Sequence, residues 1–269
     1  MNFSINFILE AIAIGLATGI FSGAFGIGGG IVCTPLLRLC LGVSPHMAIG
    51  TTMALIIPTP LSGALNYTRK GLVDKKVSTA MMIPAVVGVL SGAALTKVVH
   101  GKMLMLSFAL LVVLSGIDLT FGIGKKIMDM REASNGEGES GAEEENRDRS
   151  LRTKILVGLM SGCLAGFFGV GGGFILVPCL LYFFKMPIKA AFGTSLVVIA
   201  TVSVPGTITH FLLGHVNIPL MLTMMGGAVA GSFIGSSVAL RIRDSWLRKG
   251  FGVIMLIVAF VLMGRELSP

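Results

Sequence analysis

Charged residues are scarce in this chain. They make up 13% of its 269 residues, whereas 54% of the residues are hydrophobic. A soluble domain carries about 25% charged residues, so this composition excludes soluble enzymes, nucleic-acid-binding domains and disordered proteins. With a mean hydropathy of +0.89, the chain is predicted to be an integral membrane protein whose main partner is the lipid bilayer.

The usual markers of catalysis and metal binding are also missing. Glu10 and Asp118 are the acidic residues inside apolar stretches, and both lie near the ends of those stretches. The 4 cysteines show no CxxC spacing, which predicts buried free thiols and not a disulfide framework or a zinc site. No arrangement resembles a nucleophile with its base. The sequence therefore predicts no catalytic residues, no metal site, no cofactor and no enzymatic activity.

Eight apolar runs separated by polar residues account for most of the chain. They cover approximately residues 3–37, 47–66, 77–96, 103–122, 155–184, 190–212, 218–240 and 250–264. A polar segment at 124–154, rich in Gly, Ser and Glu, divides them into two groups. We expect an N-terminal membrane repeat (1–123), a charged and partly disordered linker (124–154) and a C-terminal membrane repeat (155–269). The N-terminal residues lack the features of a cleaved signal peptide and are expected to stay in the membrane.

The two apolar halves are related in sequence. A shift of 143 residues aligns positions 15–92 with 158–235 without a gap, and 24 of these 78 positions are identical. The shift places FGIGGG (25–30) on FGVGGG (168–173) and AIGTT (48–52) on AFGTS (191–195). Internal repeats in a membrane protein are typical of transporters, with the binding site at the repeat interface.

Both FGxGGG motifs lie in apolar runs of about 30 residues or more, longer than one crossing requires. Each run is either one tilted helix or a helical hairpin broken at the glycines. Single crossings would place 12 Lys and Arg residues on one side and 9 on the other, whereas hairpins give 17 against 4. The positive-inside rule favours hairpins. We therefore predict an all-α polytopic protein of two inverted repeats, each with a Gly-broken hairpin and about three crossing helices, with both termini outside and the linker in the cytoplasm.

The FGxGGG motifs are the strongest candidates for a binding site. Consecutive glycines weaken a helix and free backbone groups that lipid cannot satisfy. A helix that restarts there points its N-terminal amides at the break, which creates a site for an anion. The alternative is that the glycines only allow close helix packing. The predicted substrate-binding glycines are Gly26, Gly28, Gly29, Gly30, Gly169, Gly171, Gly172 and Gly173.

Other polar residues repeat between the halves. The hydroxyls of AIGTT and AFGTS, which are predicted to bind substrate or else to bond within their own helices, belong to Thr51, Thr52, Thr194 and Ser195. Four further residues are candidates for ion coupling or for lining the site: Asn66, His210, Cys33 and Cys179. Elsewhere glycines recur every four residues, as in Gly15, Gly19 and Gly23, which predicts close helix contacts without a ligand.

The paired FGIGGG…P and FGVGGG…P motifs, the AIGTT and AFGTS segments and the central loop resemble the sulfite exporter TauE/SafE family of permeases, also called the toluene sulfonate uptake permease family. The resemblance covers nearly the whole chain except the linker. It implies transport of sulfur-bearing anions such as sulfite, sulfonates or related organic anions across the cell (cytoplasmic) membrane.

We therefore predict a secondary-active transporter of a small anion that works by alternating access. An ion or metal carrier and a membrane enzyme that acts on a sulfur compound are the alternatives. The sequence leaves open the identity of the anion, the direction of transport, coupling to H⁺ or Na⁺, and whether the protein forms a homo-oligomer.

Overall fold

A computed structural model describes residues 5–121 and 143–267. Within these ranges the regular structure is entirely helical, as the composition predicts. The helices are α1 (Ile5–Phe25), α2 (Gly30–Leu39), α3 (Pro45–Leu55), α4 (Pro58–Arg69), α5 (Lys75–Leu95), α6 (Gly101–Phe121), α7 (Glu143–Phe168), α8 (Gly173–Tyr182), α9 (Ile188–Leu212), α10 (Ile218–Ala239) and α11 (Asp244–Leu267). Eight segments of the described chain are long and apolar enough to cross a membrane, with α3 and α4 together forming one of them.

The predicted linker lies largely outside the described residues. Helix α7 begins at Glu143, inside the range 124–154, and its apolar part starts at Leu151. The last part of the predicted linker therefore belongs to a helix that continues into the C-terminal repeat.

Both long apolar runs are interrupted at the predicted glycines. Helix α1 ends at Phe25 and α2 begins at Gly30; likewise, α7 ends at Phe168 and α8 begins at Gly173. The two parts are unequal, because α2 and α8 have 10 residues each whereas α1 has 21. In each predicted hairpin the first helix is therefore long enough to cross the membrane and the second is short, since the glycines follow α1 and α7 and do not divide the apolar runs near the middle.

The first helix of each half packs against the other half. A β-carbon added to Gly15, Gly19 or Gly23 of α1 would collide with backbone carbonyls of α10, and the same is true of Gly158, Gly162 and Gly166 of α7 against α5. Small residues allow helix backbones to approach this closely in a membrane. The predicted role of the four-residue glycine spacing in close packing is confirmed.

The direction of neighbouring helices follows from their contacts. Gly15 of α1 faces Met224 of α10, and Gly23 faces Ser232, so these helices run parallel. Helix α4 also runs parallel to α10. The hydroxyl of Ser62 donates to the carbonyl of Val229, and one turn later the side-chain amide of Asn66 donates to the carbonyl of Phe233. Since α1 and α4 share one direction, the chain must turn back between them, and α2 lies on this return path.

Helix α9 and the α3–α4 segment, which occupy related positions in the sequence repeat, contact each other along their length. Gly50 of α3 lies against His215, whereas Tyr67 of α4 lies against Gly193 near the start of α9. The α3–α4 segment is thus antiparallel to α9, its counterpart in the repeat.

Aromatic contacts anchor the start of each break. Phe25 stacks on Phe251 of α11, and Phe168 packs against Phe108 of α6, both with ring centroids 5.5 Å apart. The two pairs are related by the repeat: the shift of 143 residues places Phe25 on Phe168 and Phe108 on Phe251. The phenylalanine of each FGxGGG motif therefore fixes the end of its helix against the last helix of the other half.

The four cysteines are free, but only Cys33 is fully buried. Cys163 and Cys179 are partly buried. Cys40 is exposed, so the prediction of a buried thiol is wrong at this position, because Cys40 follows the last residue of α2 and faces away from the helix contacts.

Candidate functional site

The two FGxGGG segments meet inside the protein. Gly30 lies directly against Val170, and a β-carbon added to Gly173 would lie 2.6 Å from the Cα of Ile27. Ile27 and Val170 are 1% and 0% exposed. Each motif thus places its middle residue against the last glycine of the other motif.

Most glycines of the motifs are required by their backbone conformation. Gly26, Gly28 and Gly29 have φ values of +67°, +76° and +84°, and Gly169, Gly171 and Gly172 have +63°, +78° and +72°. Residues with a β-carbon rarely adopt this region. Gly30 and Gly173 lack positive φ and are required by close approach instead. Close packing therefore accounts for the last glycine of each motif, whereas the others form the break.

The short helices begin without side-chain caps. Gly29 and Gly172 are the N-cap residues of α2 and α8, and neither helix has a capping side chain. The carbonyl of Gly29 accepts bonds from Val32 and Cys33. Among the described residues, the amides of Gly30 and Ile31 have no protein acceptor. Free amides at a helix start carry the positive end of the helix dipole, so the break offers donors to an anion.

Two buried residues with hydroxyl groups lie beside the N-terminal break. Thr18 and Ser22 of α1 are 1% and 0% exposed, and their hydroxyl oxygens have no oxygen or nitrogen partner. A β-carbon added to Gly29 would lie 2.7 Å from the Cγ2 of Thr18 and 3.2 Å from the Cβ of Ser22. The two side chains, one helical turn apart, therefore line the place where α2 begins.

Further polar atoms extend this cluster along α2. The hydroxyl of Thr34 donates to that of Thr52 over 3.2 Å, and both residues are 0% exposed. The thiol of Cys33 lies beside the hydroxyls of Thr18 and Thr52. Helices α1, α2 and α3 thus contribute four hydroxyls and one thiol to a single buried region.

Thr51 and Thr194, two of the predicted hydroxyls, contact the starts of neighbouring helices. Thr51 accepts a bond from the amide of Asn217, and Thr194 accepts one from the amide of Asp74, each over 3.0 Å. Asn217 and Asp74 are the N-caps of α10 and α5. These threonines connect one half to the other at repeat-related places.

Ser195 contacts the break itself. Its hydroxyl donates to the carbonyl of Gly26 over 2.6 Å and lies 2.9 Å from the carbonyl of Phe192. Of the predicted hydroxyls, Thr52 and Ser195 are therefore the two that the structure brings to the breaks.

The remaining candidates separate into different places. Nδ2 of Asn66 lies 2.8 Å from the hydroxyl of Ser236 and 3.0 Å from the carbonyl of Phe233, which joins α4 to α10. Cys179 of α8 packs at the edge of an apolar cluster that includes Val198. Cys33 alone among these lies in the polar cluster at α2.

His210 belongs to a row of three histidines. Its Nε2 lies 2.8 Å from the carbonyl of Gly166 and its Nδ1 lies 3.3 Å from the Nδ1 of His215. The ring centroids of His215 and His46 are 5.0 Å apart. His210 is buried whereas the other two are half-buried. Burial and the neighbouring His46 lower the pKa of His215, which lies between α9 and α10. The row runs from the first turn of α3 to the last turn of α7, just before the C-terminal break.

Sequence reasoning missed Thr18, Ser22 and Thr34. Thr18 and Ser22 stand four residues apart beside the glycine stripe of α1, and this spacing places them on one helix face. The signal was present, but it does not reveal that this face meets the start of α2.

Within the described ranges, no group of three or more His, Cys, Asp or Glu side chains has a geometry that suits a metal ion. The polar groups near the breaks are amides, hydroxyls and a thiol, which suit an oxyanion better than a hard cation.

The model of the family described as sulfite exporter TauE/SafE matches residues 11–262. The probable membrane transporter protein YunE of Bacillus subtilis is 28% identical over 267 residues, which cover 95% of each chain. A probable membrane transporter protein of Xylella fastidiosa is 27% identical over 98% of this chain and 97% of its own. The probable membrane transporter protein MJ0441 of Methanocaldococcus jannaschii is 26% identical over 88% of both. No solved structure matches the chain.

Proposed function

The chain belongs to the sulfite exporter TauE/SafE family of membrane transporters, and we propose that it is a secondary-active transporter of small sulfur-bearing anions. The family description, sulfite exporter, supports the substrate class. The buried donors at the glycine breaks support the negative charge of the substrate, since free helix amides bind anions without a side-chain cation.

The meeting of the two breaks carries this proposal. Gly30 contacts Val170 and Gly173 contacts Ile27, so the starts of α2 and α8 lie together inside the protein. Transporters commonly hold their substrate at such discontinuous helices near the interface of two repeats. The free amides where the two breaks meet and the nearby hydroxyl of Thr52 offer the substrate contacts, whereas the hydroxyl of Ser195 already donates to the carbonyl of Gly26.

The transport mechanism is alternating access by two inverted repeats. The antiparallel course of α3–α4 and α9 supports the inversion. Helices α6 and α11, which are also related by the repeat, are antiparallel too, because Gly116 contacts Leu256 whereas Thr120, further along α6, contacts the earlier Gly252. A movement of one half against the other opens the breaks to each side in turn. The protein lies in the cytoplasmic membrane with the linker in the cytoplasm, as the distribution of Lys and Arg favours.

The coupling ion is H⁺. Imidazole is the side chain that exchanges protons most readily near neutral pH, and His46, His215 and His210 form a row that ends at the carbonyl of Gly166. Gly166 lies three residues before the break at Gly169. Protonation of the row is therefore placed to act on the segment that leads into the C-terminal break.

Flux into proteoliposomes tests the proposal. Purified protein is reconstituted, and uptake of labelled sulfite, thiosulfate, sulfoacetate and the zwitterion taurine is measured with and without a pH gradient. We expect protein-dependent flux of at least one anion, driven by the gradient, and no chemical change of the substrate. Protein-free liposomes are the control. Substrate turnover in detergent would instead indicate an enzyme, and flux of divalent cations alone would indicate a metal carrier.

A further inference from the structure

We infer that the anion is held in the N-terminal half only, by the hydroxyls of Thr18 and Ser22 together with the first amides of α2. This inference rests on the proposed function, because it concerns the site of the transported anion. The sequence repeat suggests two equivalent half-sites, one at each break. The inference is instead a single site at the N-terminal break.

The first observation is the pair of unpartnered hydroxyls. A buried polar group is normally hydrogen-bonded, because leaving it unpaired costs free energy. Thr18 and Ser22 are 1% and 0% exposed, and neither hydroxyl bonds an oxygen or nitrogen atom; that of Thr18 lies beside the thiol of Cys33, which is a weak hydrogen-bond partner. A ligand that accepts hydrogen bonds at this place would satisfy both.

The second observation is their position at a helix start. Gly29 is the N-cap of α2, and both side chains lie beside it. The amides of Gly30 and Ile31 are free of protein acceptors in the part of the chain that the structure describes. Two side chains that carry hydroxyls therefore lie beside the positive end of a helix dipole.

The repeat provides an internal comparison. The position equivalent to Ser22 is Ala165, which has no donor, and the position equivalent to Thr18 is Ser161, whose hydroxyl donates to the carbonyl of Gly158 in its own helix. The polar lining of α2 is also lost in α8, because Leu176 and Val177 replace Cys33 and Thr34. The second break has the same backbone conformation, but the hydroxyl beside it, on Ser161, already bonds within its own helix.

The arrangement suits a compact oxyanion with several acceptor oxygens. Sulfite and the sulfonate group each present three oxygens around one sulfur, enough to accept from two hydroxyls and a backbone amide at once. The hydroxyl and amide donors are neutral, so they do not distinguish sulfur from other oxyanions of the same size. Recognition therefore depends on the shape and the negative charge of the anion.

Substitutions at repeat-related positions test the inference. Thr18→Val keeps the side-chain shape, and Ser22→Ala reproduces the residue of the other half. Ser161→Ala is the matched control, since it removes the equivalent hydroxyl from the C-terminal half. Binding of sulfite to detergent-solubilised protein is measured by calorimetry, and flux is measured separately in proteoliposomes. Thermal unfolding of each variant without ligand shows whether it folds.

We expect Thr18→Val and Ser22→Ala each to weaken sulfite binding by about tenfold or more, as the loss of a hydrogen bond to a charged group does, while Ser161→Ala binds like the unmodified protein. Equal losses in all three variants, or no loss at Thr18 and Ser22, would overturn the single site. Sulfite binding without flux of any tested anion would overturn the proposed transport function but not the site. Absence of both binding and flux would overturn both.

Discussion

Tyr67 and His210 make the same contact in the two halves of the protein. The hydroxyl of Tyr67 donates to the carbonyl of Gly23 over 3.0 Å, and the Nε2 of His210 lies 2.8 Å from the carbonyl of Gly166. The glycines are related by the repeat, as are the two side chains. One half thus uses a phenol where the other uses an imidazole, and the imidazole lies beside His215, which in turn contacts His46.

This relationship separates the structural role of His210 from its proposed role in coupling. We expect His210→Tyr to keep the contact with Gly166, as Tyr67 does with Gly23, and to leave the thermal stability nearly unchanged. Flux driven by a pH gradient should fall strongly, because the row of histidines loses its buried end, while exchange of labelled anion at equal pH continues. A His210→Tyr variant that keeps its response to the gradient would contradict H⁺ coupling through this row.

His215 predicts a dependence of stability on pH. Burial and the neighbouring His46 lower its pKa below the ordinary value of about 6.5. The unfolded chain therefore binds more protons than the folded protein as the pH falls below that value, and the free energy of unfolding decreases. We expect the melting temperature in detergent to be highest above about pH 6.5 and to fall on acidification. The decline should be smaller in His215→Asn, and an identical decline in that variant would assign the effect to other groups.

Contact between the two breaks predicts that Gly30 tolerates no side chain. In Gly30→Ala the new β-carbon would lie 2.7 Å from the Cγ1 of Val170 and closer still to its Cα. We expect a loss of about 1–3 kcal/mol in stability, the usual cost of overpacking, measured as a lower melting temperature. Gly226→Ala is the control, because no atom lies within 4 Å of its added β-carbon. Equal melting temperatures for both variants would contradict the close approach of Gly30 and Val170.

The threonine contacts predict a similar loss in each half. Thr51→Val removes the hydroxyl that accepts from the amide of Asn217, and Thr194→Val removes the hydroxyl that accepts from the amide of Asp74. We expect each change to lower the stability by about 0.5–1.5 kcal/mol, the net contribution of one hydrogen bond, because both places are half-buried. Chemical or thermal unfolding in detergent measures both. Thr79→Val is the matched control, because Thr79 is exposed and bonds only within its own helix.

Cys40 offers a test of the orientation in the membrane. It is exposed after the end of α2, whereas Cys33 is fully buried. With α2 returning towards the side opposite the linker, a membrane-impermeant maleimide added to intact cells should label Cys40 in a variant that lacks the other cysteines. A variant that keeps only Cys33 should stay unlabelled. Labelling of Cys40 only after the membrane is opened would reverse the proposed orientation.

The backbone of the candidate site was predictable because its signals are local. Three consecutive glycines inside an apolar run indicate a break wherever they stand, and the structure interrupts both runs between Phe25 and Gly30 and between Phe168 and Gly173. The four-residue spacing of Gly15, Gly19 and Gly23 likewise predicts a close helix contact. The repeat of 143 residues extends both inferences to the second half.

The lining of the site was less predictable, since it depends on which helices meet. Thr51 and Thr194 looked like ligand donors from their repeated motif, yet each accepts a bond from the first residue of a neighbouring helix. Thr18 and Ser22 lie next to the glycines of α1, whose spacing predicts helix packing and no ligand. Their burial beside Gly29 follows only from the fold of the chain. Similarly, the lengths of α1 and α7 depend on where the glycines lie relative to the bilayer, which composition does not specify.

The exchange of first helices between the halves affects how the protein is made. The ribosome delivers α1 early, but its partner α10 emerges about two hundred residues later. Until then the flat side of α1, formed by Gly15, Gly19 and Gly23, lacks the helix that it packs against, and α5 likewise has to wait for α7. The N-terminal half therefore cannot complete its packing before the C-terminal half is made, because α1 is inserted first and its partner α10 is the last helix but one.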